Sequence, residues 1–333
     1  MPPLVLGLDI GGANLKAATA TGQARSVPFA LWRQPDRLAS ELRQLRAAFP
    51  TVSAIAATMT GELCDCYRTK RDGVRSILAA LTDAADNLPV RIWSTKGRFL
   101  TTTVAVEQPY QVAAANWHGL ATFAGRYADP TGLTLLIDIG STTSDIIPIR
   151  DGRPATRGLT DEERLQTGEL VYRGVQRTPL CALLPDRTMA ELFATTLDLF
   201  LDRGELPDDP ENHDTANGRP ATRIEARGRL ARMLGGDLET VPPDTIDDFA
   251  TRAHQQLITT LQSAIDDVLA PHGGAGAVRR VILSGAGEFL GRQLVGDCWS
   301  SVSLSEQLGP DVSPSAPAYA LACLATEDPT CWS

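Results

Sequence analysis

An internal repeat constrains this chain more than any other feature of its sequence. Residues 4–20 read LVLGLDIGGANLKAATA, and residues 133–150 read LTLLIDIGSTTSDIIPIR. Aligning Asp9 on Asp138 gives an offset of 129 residues, about the size of one domain. Each copy is an apolar β-prone stretch, an Asp-Ile-Gly step, small or hydroxyl residues, and a second β-prone stretch closed by a turn. The pattern predicts a β-hairpin with a Gly-rich tip that occurs twice, and therefore favours a duplicated domain over two unrelated hairpins.

The tips have the composition of phosphate-binding loops. Glycines let backbone N–H groups approach an anion closely, and hydroxyl side chains add further donors. An aspartate at the strand end can hold Mg²⁺, usually through water, and the metal then bridges to phosphate oxygens. We therefore predict Asp9 and Asp138 as metal residues, although such an Asp can also simply cap the next turn. The predicted phosphate-binding residues are Gly11, Gly12, Asn14, Gly140, Ser141, Thr142 and Thr143.

The segments around the hairpins alternate between helical and strand patterns. Apolar spacing predicts strands over 52–59, 90–94 and 280–283. Helices are predicted over 39–48, 70–85, 111–127, 189–202, 223–234, 245–269 and 316–326. A hairpin followed by alternating helices and strands is the RNase H-like order. We predict a first lobe over 1–128, against which the helix at 316–326 packs back, and a second lobe over 129–315.

Composition and charge exclude several classes of protein. The 333 residues carry a net charge of −9, which argues against a nucleic-acid-binding surface. No apolar run reaches the ~18–20 residues of a membrane span, and no signal peptide is recognisable, so we expect a cytoplasmic protein. The six cysteines show no zinc-type spacing, and we expect free thiols.

Lysine is rare in this chain. Of the 31 basic residues only Lys16, Lys70 and Lys96 are lysines. An Arg-rich genome explains the general replacement of lysine. On this interpretation the lysines that remain are candidates for places where a compact point charge is needed and a planar guanidinium does not serve. We expect at least two of the three to be functional.

The tandem hairpins and a late Gly-x-Gly motif resemble the acetate kinase, sugar kinase, heat-shock chaperone and actin superfamily. In that superfamily the hairpins are the phosphate-1 and phosphate-2 elements, and the late glycines, here Gly285 and Gly287, belong to the adenosine element. The resemblance implies an α/β fold with two RNase H-like lobes around a central cleft. From the offset of 129 residues between the two hairpins we predict that Asp9 and Asp138 face each other across it. It also implies ATP or ADP as a candidate cofactor beside Mg²⁺.

A narrower resemblance is carried by motifs spread over most of the chain. They are DIGGANLKAA (9–18), TMTGELCDCYRTKRDGV (58–74), AAANWHGLA (113–121), DIGSTTSDIIPI (138–149), GELVYRGVQRTP (168–179) and LSGAGEF (283–289). These resemble the hydantoinase/oxoprolinase family, in its branch of tetrahydromethanopterin-linked C1-transfer pathway proteins. Archaeal members of that branch are methanofuran-biosynthesis synthases. The resemblance implies an Mg²⁺-dependent alkyltransferase that condenses a furan-methyl diphosphate with γ-glutamyltyramine, or a related phenol, and releases diphosphate.

Four residues are the catalytic candidates under this interpretation. Lys16 is expected to contact the diphosphate. Asp145 occupies the equivalent position in the second copy and is expected to bind a metal or a proton. Glu62 follows a predicted buried strand and is expected to act as base for the phenol or to bind an amine. Lys96 is a candidate diphosphate or substrate contact. For Lys16 and Asp145 the alternative is a solvated or salt-bridged strand residue.

Two other classes of function stay open at the level of sequence. One is an ATP-dependent small-molecule kinase or hydantoinase-type hydrolase, which would turn over ATP with its substrate. The other is a non-catalytic nucleotide-dependent scaffold, which would polymerise or bind unfolded peptides. The expected partners are a small-molecule diphosphate and a phenolic amine, without nucleic acid or membrane, and the oligomeric state is left open.

Overall fold

The computed structural model describes residues 3–332 as two six-stranded sheets with helices packed around them. The strands are β1 (Val5–Ile10), β2 (Asn14–Thr19), β3 (Ala24–Pro28), β4 (Ala54–Met59), β5 (Val90–Trp93), β6 (Phe99–Thr101), β7 (Leu133–Ile139), β8 (Ser144–Arg150), β9 (Arg153–Pro154), β10 (Leu170–Val171), β11 (Val278–Ser284) and β12 (Ser301–Ser303).

Thirteen α-helices lie in the described residues. They are α1 (Leu38–Ala47), α2 (Lys70–Ala85), α3 (Thr102–Glu107), α4 (Pro109–Val112), α5 (Asn116–Ala124), α6 (Asp161–Thr167), α7 (Leu180–Leu183), α8 (Thr196–Asp202), α9 (Arg223–Met233), α10 (Pro243–Leu269), α11 (Glu288–Val295), α12 (Leu304–Leu308) and α13 (Ala316–Glu327). None of them combines the length and the apolar character that a membrane span requires.

The first sheet has the RNase H-like strand order. The strands follow the order β3-β2-β1-β4-β5-β6. The first three are antiparallel, while β1, β4 and β5 run parallel. The second sheet has the order β10-β8-β7-β11-β12, with β9 paired to β8. It therefore repeats the β3-β2-β1-β4-β5 arrangement, and both predicted hairpins are present.

The central strand β1 is buried on both of its faces, because side chains alternate across a strand. Leu6, Leu8 and Ile10 enter the larger apolar cluster together with residues of α1 and α2. Val5 points to the other face, where it joins Leu321 and other residues of a second apolar cluster. The C-terminal helix α13 thus covers this second face.

The chain divides into two compact units, which are described separately. The first comprises the residues up to 136, those of 147–164 and those from 302 onward, and the second comprises 137–146 and 165–301. The predicted domain bounds of 1–128 and 129–315 stay a prediction, as does the placement of Asp9 opposite Asp138.

Two of the predicted helices are shorter than expected. The helix predicted over 111–127 is interrupted, because Ala113 pairs with Met59 at the end of β4 and Ala114 adopts a left-handed conformation with φ of 47°. The helix predicted over 189–202 begins only at Thr196, because Thr195 and Asp198 form a capping box inside the apolar run. In both cases a local interaction overrides the apolar periodicity.

The other predictions of secondary structure are confirmed to within a few residues. Helix α2 has the predicted bounds, and it begins where the side chain of Thr69 accepts a hydrogen bond from the N–H of Asp72 at 3.1 Å. The six cysteines are free thiols, as expected.

The packing of α13 on β1 yields a first prediction. A Cβ added at Gly7 would lie 1.8 Å from the carbonyl oxygen of Ala318. We expect Gly7→Ala to lower the free energy of unfolding by about 2–3 kcal/mol, since helix and strand must move apart. Urea titration followed by circular dichroism measures the change.

The matched control is Gly276→Ala, since among the described residues no atom beyond the two chain neighbours of Gly276 lies within 4 Å of a Cβ added there. This variant should retain the stability of the parent chain. Equal stability of the Gly7 and Gly276 variants would contradict the close approach of α13 to β1.

Candidate active site

The first hairpin tip exposes backbone donors. The N–H of Gly11 donates to the carbonyl of Asn14 at 3.0 Å, and the carbonyl of Gly12 accepts from the N–H of Leu31 at 2.9 Å. Within residues 3–332, the N–H groups of Gly12 and Ala13 donate to no protein acceptor. Gly12 also has no room for a side chain, because a Cβ there would lie 2.7 Å from Sγ of Cys64. The tip therefore offers two free donors at a backbone that an anion can approach.

The second tip repeats this geometry in its own unit. The N–H of Gly140 donates to the carbonyl of Thr143 at 2.8 Å. In the described part of the chain, the N–H groups of Ser141 and Thr142 have no protein acceptor. Three half-buried hydroxyl groups, those of Ser141, Thr142 and Thr143, also form no hydrogen bond with the described protein. The second tip thus has the same kind of free donors as the first, with hydroxyl groups in addition.

A glycine-glutamate pair follows the neighbouring strand in both units. After β4, the N–H of Gly61 donates to the carbonyl of Ile10 at 3.1 Å, and Glu62 comes next. After β11, the N–H of Gly287 donates to the carbonyl of Ile139 at 2.8 Å, and Glu288 comes next. The duplicated element therefore extends beyond the hairpin to a turn that presents a buried carboxylate.

The two late glycines are also required for packing. A Cβ at Gly285 would lie 2.3 Å from the carbonyl oxygen of Ile139 and 2.7 Å from Oδ1 of Asp138. A Cβ at Gly287 would lie 2.4 Å from a methyl group of Ile139. Both glycines therefore let the turn after β11 lie directly against the end of β7. Their predicted contribution to an adenosine pocket stays a prediction.

Three polar side chains form a row across the first sheet. Asp9 is the register partner of Lys16 on β2 and of Thr58 on β4, so the three side chains share the face that α13 covers. Asp9 is only 5% exposed, and burial raises its pKa, although the charge of Lys16 opposes this. Asp9 Oδ1 and Thr58 Oγ1 are buried and have no hydrogen-bond partner in the described residues. The row thus combines a half-buried cation with two oxygen atoms that lack partners.

The carboxyl group of Glu62 is almost completely buried. Its exposed fraction is 1%, and Oε2 has no hydrogen-bond partner among the described residues. Desolvation is the largest effect on this group, and its pKa is raised to about 7. The backbone N–H of Glu62, the charge of Lys70 and the N–H of Ala114 lower this pKa, while the charge of Asp161 raises it. Glu62 is therefore a carboxyl group that changes its protonation near neutral pH.

Lys96 lies elsewhere, in an exposed turn between β5 and β6. The pKa of Glu163 in α6 is lowered by the N–H groups of Leu159 and Thr160 and, to a smaller extent, by Lys96. Asp145 is buried and is the register partner of Leu170 on β10. The structure therefore brings Lys16 and Asp9 together on one face, whereas the predicted roles of Lys96 and Asp145 stay predictions.

His118 and Trp117 have structural surroundings. Trp93 Nε1 donates to His118 Nδ1 at 3.3 Å, and burial lowers the pKa of His118 to about 4. The buried guanidinium group of Arg164 lies 4.0 Å from the centre of the Trp117 ring. These contacts fix α5 and α6 within the first unit.

The oxygen atoms of the first unit can be compared with the ligands that magnesium accepts. Within residues 3–332, no three His, Cys, Asp or Glu side chains come together as a metal cluster. Magnesium usually keeps several waters and takes one or two carboxylates together with phosphate oxygens of its ligand. The buried Oδ1 of Asp9, which has no partner among the described residues, is an oxygen of that kind. Asp9 therefore fits the predicted role of a magnesium residue.

Comparisons with known proteins identify the family. A family model described as Hydantoinase/oxoprolinase matches residues 53–183. The chain is 32% identical over 335 residues to a protein of Methanocaldococcus jannaschii named (4-{4-[2-(gamma-L-glutamylamino)ethyl]phenoxymethyl}furan-2-yl)methanamine synthase, and the match covers 97% of this chain and 98% of that protein. The chain belongs to the family of this synthase. A family member of the same name from Methanococcus vannielii is 30% identical over 204 residues, which are 57% of this chain and 89% of that protein.

A solved structure confirms the predicted fold class. The nucleotide-free structure of acetone carboxylase, an enzyme of ATP-dependent acetone carboxylation, superposes with a TM-score of 0.59 at 11% identity. The superposition covers 96% of this chain and 70% of that chain. At this identity the likeness shows the fold alone. The chain thus has the predicted α/β fold with two RNase H-like lobes.

Sequence reasoning missed several residues around this site. Thr58 lay inside the TMTG motif, but its position beside Asp9 depends on the parallel register of β1 and β4. Asp161 gave no local signal, because its salt bridge with Lys70 joins residues 91 positions apart. Glu288 was detectable in principle, since Gly-Glu follows the strand in both copies.

The burial of Glu62 predicts a pH-dependent stability. The ordinary pKa of glutamate, 4.5, applies to the unfolded chain, while the folded value is about 7. Both states are protonated below about pH 4.5, and the unfolded state ionises first as the pH rises. The free energy of unfolding should therefore fall by about 3 kcal/mol between pH 4.5 and 8 on account of this group. Glu62→Gln should remove that part of the pH dependence in urea titrations.

The control is Glu107→Gln, which changes an exposed glutamate at the end of α3. This variant should follow the parent chain at every pH. A stability difference between Glu62→Gln and the parent chain that stays constant from pH 4.5 to 8 would contradict the raised pKa of Glu62.

Proposed function

We propose that this chain is an alkyltransferase of methanofuran biosynthesis. It would join a furan-methyl diphosphate to the phenol oxygen of γ-glutamyltyramine, or of a related tyramine-like phenol, and release diphosphate. One observation carries the proposal, namely that the similarity to the synthase of M. jannaschii covers 97% of this chain and 98% of that protein.

The name of the relative defines the chemistry that a site must provide. A phenoxymethyl-furan product contains an ether between a phenol oxygen and a furan-methyl carbon. In the proposed reaction that C–O bond forms while the bond between the same carbon and the diphosphate breaks. The phenol loses its proton, and the diphosphate leaves with the electron pair of the broken bond. The site must therefore stabilise a departing anion and accept a proton.

The first hairpin offers what the departing diphosphate needs. The free N–H groups of Gly12 and Ala13 act as fixed donors, and Lys16 adds a compact positive charge near them in the same hairpin. Donors that are already oriented before the reaction stabilise developing charge without reorganisation. When bound at Asp9, Mg²⁺ would neutralise further charge on the diphosphate. In the second unit, Gly140, Ser141, Thr142, Thr143 and Asp138 are proposed to bind phosphate and metal in the same way.

Glu62 is the proposed proton acceptor. Its turn lies against the first tip, since Gly61 donates to Ile10 and a Cβ on Gly61 would lie 3.2 Å from the carbonyl carbon of Gly11. Oε2 lacks a hydrogen-bond partner among the described residues, and a phenol hydroxyl that reaches this buried atom would supply one. A general base works best when its pKa lies near the working pH, and that of Glu62 is about 7.

The test is direct synthesis. Purified protein receives a furan-methyl diphosphate, γ-glutamyltyramine and Mg²⁺, and mass spectrometry follows the ether product. The proposal predicts one diphosphate released per ether, without nucleotide consumption. Tyramine and tyrosine serve as alternative acceptors that define the phenol.

Isothermal titration with diphosphate, ADP and ATP, each with Mg²⁺, separates this proposal from the ATP-dependent alternative. We expect diphosphate to bind without help from a nucleotide. Tight ATP binding, with hydrolysis when an acceptor is added and no ether formed, would overturn the proposal in favour of a kinase or hydrolase.

Lys16→Arg tests the role of the point charge. A planar guanidinium group keeps the charge but not the compact shape that a close phosphate contact requires. We expect the rate of ether formation to fall on the order of 10²–10³-fold, as for the loss of one preorganised electrostatic contact. Folding, measured by circular dichroism, should be preserved.

Arg25→Lys is the matched control, because it exchanges the same two residue types at an exposed position on the neighbouring strand β3. It should leave the rate unchanged. Equal rates for the Lys16 variant and this control would exclude Lys16 from the diphosphate site.

A further inference from the structure

A half-buried ion pair lies beside Glu62, and the reaction described above does not use it. Lys70 Nζ lies 3.1 Å from Oδ2 of Asp161, and the two side chains are 23% and 27% exposed. Lys70 is the first residue of α2, and Asp161 is the first residue of α6. Two helix starts that are distant in sequence thus meet next to the buried carboxyl group of Glu62.

The residues packed around Glu62 show which charged groups influence the ionisation of its carboxyl group. From α2, Gly73 contacts the backbone of Glu62 so closely that a Cβ would lie 2.0 Å from its carbonyl oxygen, and Lys70 brings the cation. From α6, Asp161 brings the anion. The turn of Glu62 itself carries Cys64, whose pKa is raised by burial and, to a smaller extent, by Glu62. Lys70 and Asp161 are therefore the charged groups of the neighbouring helices that act on Glu62.

The segment on the remaining side contributes a strained backbone. Ala114 has φ of 47°, a left-handed conformation that costs a non-glycine residue about 1 kcal/mol or more. Its N–H stabilises the carboxylate form of Glu62. Such strain persists only where the surroundings enforce it, and it is concentrated at functional sites. Ala114 thus has an unfavourable backbone conformation at the position from which its N–H stabilises the carboxylate of Glu62.

We propose that Lys70 and Asp161 are a positioning pair for Glu62. The salt bridge holds both charges at a fixed place beside Glu62, where the lysine favours its carboxylate form and the aspartate opposes it. The pair therefore sets how readily Glu62 is ionised when the acceptor phenol arrives. Neither member of the pair contacts the substrate. This inference rests on the proposed function, in which Glu62 accepts the phenol proton.

The pair has a signature that a purely structural salt bridge lacks. Lys70→Met removes a cation, which makes Glu62 harder to ionise and should move the acid limb of the kcat/KM profile to higher pH. Asp161→Asn removes an anion and leaves Lys70 free to act on Glu62 alone, so the acid limb should move to lower pH. Each shift should be about half a pH unit, since the pair is partly exposed to solvent. Lys70→Arg keeps the charge and should restore the parent profile.

The matched control is Asp83→Asn, which breaks the salt bridge of 2.9 Å between Arg43 and Asp83 at the other end of α2. That pair is more exposed and does not act on Glu62, so its loss should leave the acid limb in place. Shifts of the same sign in the Lys70 and Asp161 variants, or none in either, would overturn the proposal.

A measurement without turnover separates this inference from the proposed function. Carbon-13 NMR of labelled glutamate side chains follows the titration of Glu62, and Glu62→Gln assigns the resonance. Opposite shifts of this titration in the two variants, with no ether formed by the parent chain, would reject the synthase reaction and keep the coupling. If the parent chain forms the ether but the Glu62 titration does not move in either variant, the positioning pair is rejected and the proposed function stands.

Discussion

The candidate site depends on the hydrogen bonds that end each central strand. The carbonyl of Ile10 accepts the N–H groups of Thr60 and Gly61 at 2.9 and 3.1 Å, which locks the turn after β4 against the first tip. Glycine is favoured there, because a Cβ at position 61 would lie 2.6 Å from Cδ2 of Leu31 and 3.2 Å from the carbonyl carbon of Gly11. Glu62 follows immediately, so its place beside the tip is a consequence of backbone pairing. The same bond from Gly287 to Ile139 builds the second unit.

The candidate site contains buried polar atoms that lack hydrogen-bond partners among the described residues. Buried oxygens of Asp9, Thr58 and Glu62 have no hydrogen-bond partner in residues 3–332. Each such atom costs on the order of 1–3 kcal/mol, because the group loses its water without gaining a partner. A ligand that brings a cation, a phosphate shell or a phenol hydroxyl would satisfy these atoms. The unsatisfied atoms lower the free energy of unfolding of the ligand-free chain. Under the proposed function, a ligand that satisfies them would recover this free energy on binding.

The two hairpins share the same backbone geometry, but they carry different side chains at equivalent positions. The backbone bond across the tip recurs from Gly11 to Asn14 and from Gly140 to Thr143. At equivalent positions of the second strand, however, the first copy carries Lys16 and the second carries Asp145. Under the proposed function, the first tip would bind an anion with the help of a fixed positive charge, whereas the second would use hydroxyl groups and backbone donors.

The sequence by itself determined the two hairpins, the tips and most helices, because these follow from local rules. Alternating apolar residues, glycines at the tips and the cap at Thr69 act within a few residues, so α2 could be predicted at its observed bounds. Tertiary structure alone decided the left-handed Ala114, the break in the helix predicted over 111–127 and the pairing of Lys70 with Asp161. It also decided how deeply Glu62 is buried. Charge, pKa and strain at a site depend on what packs around it, and those neighbours come from segments that are distant in the sequence.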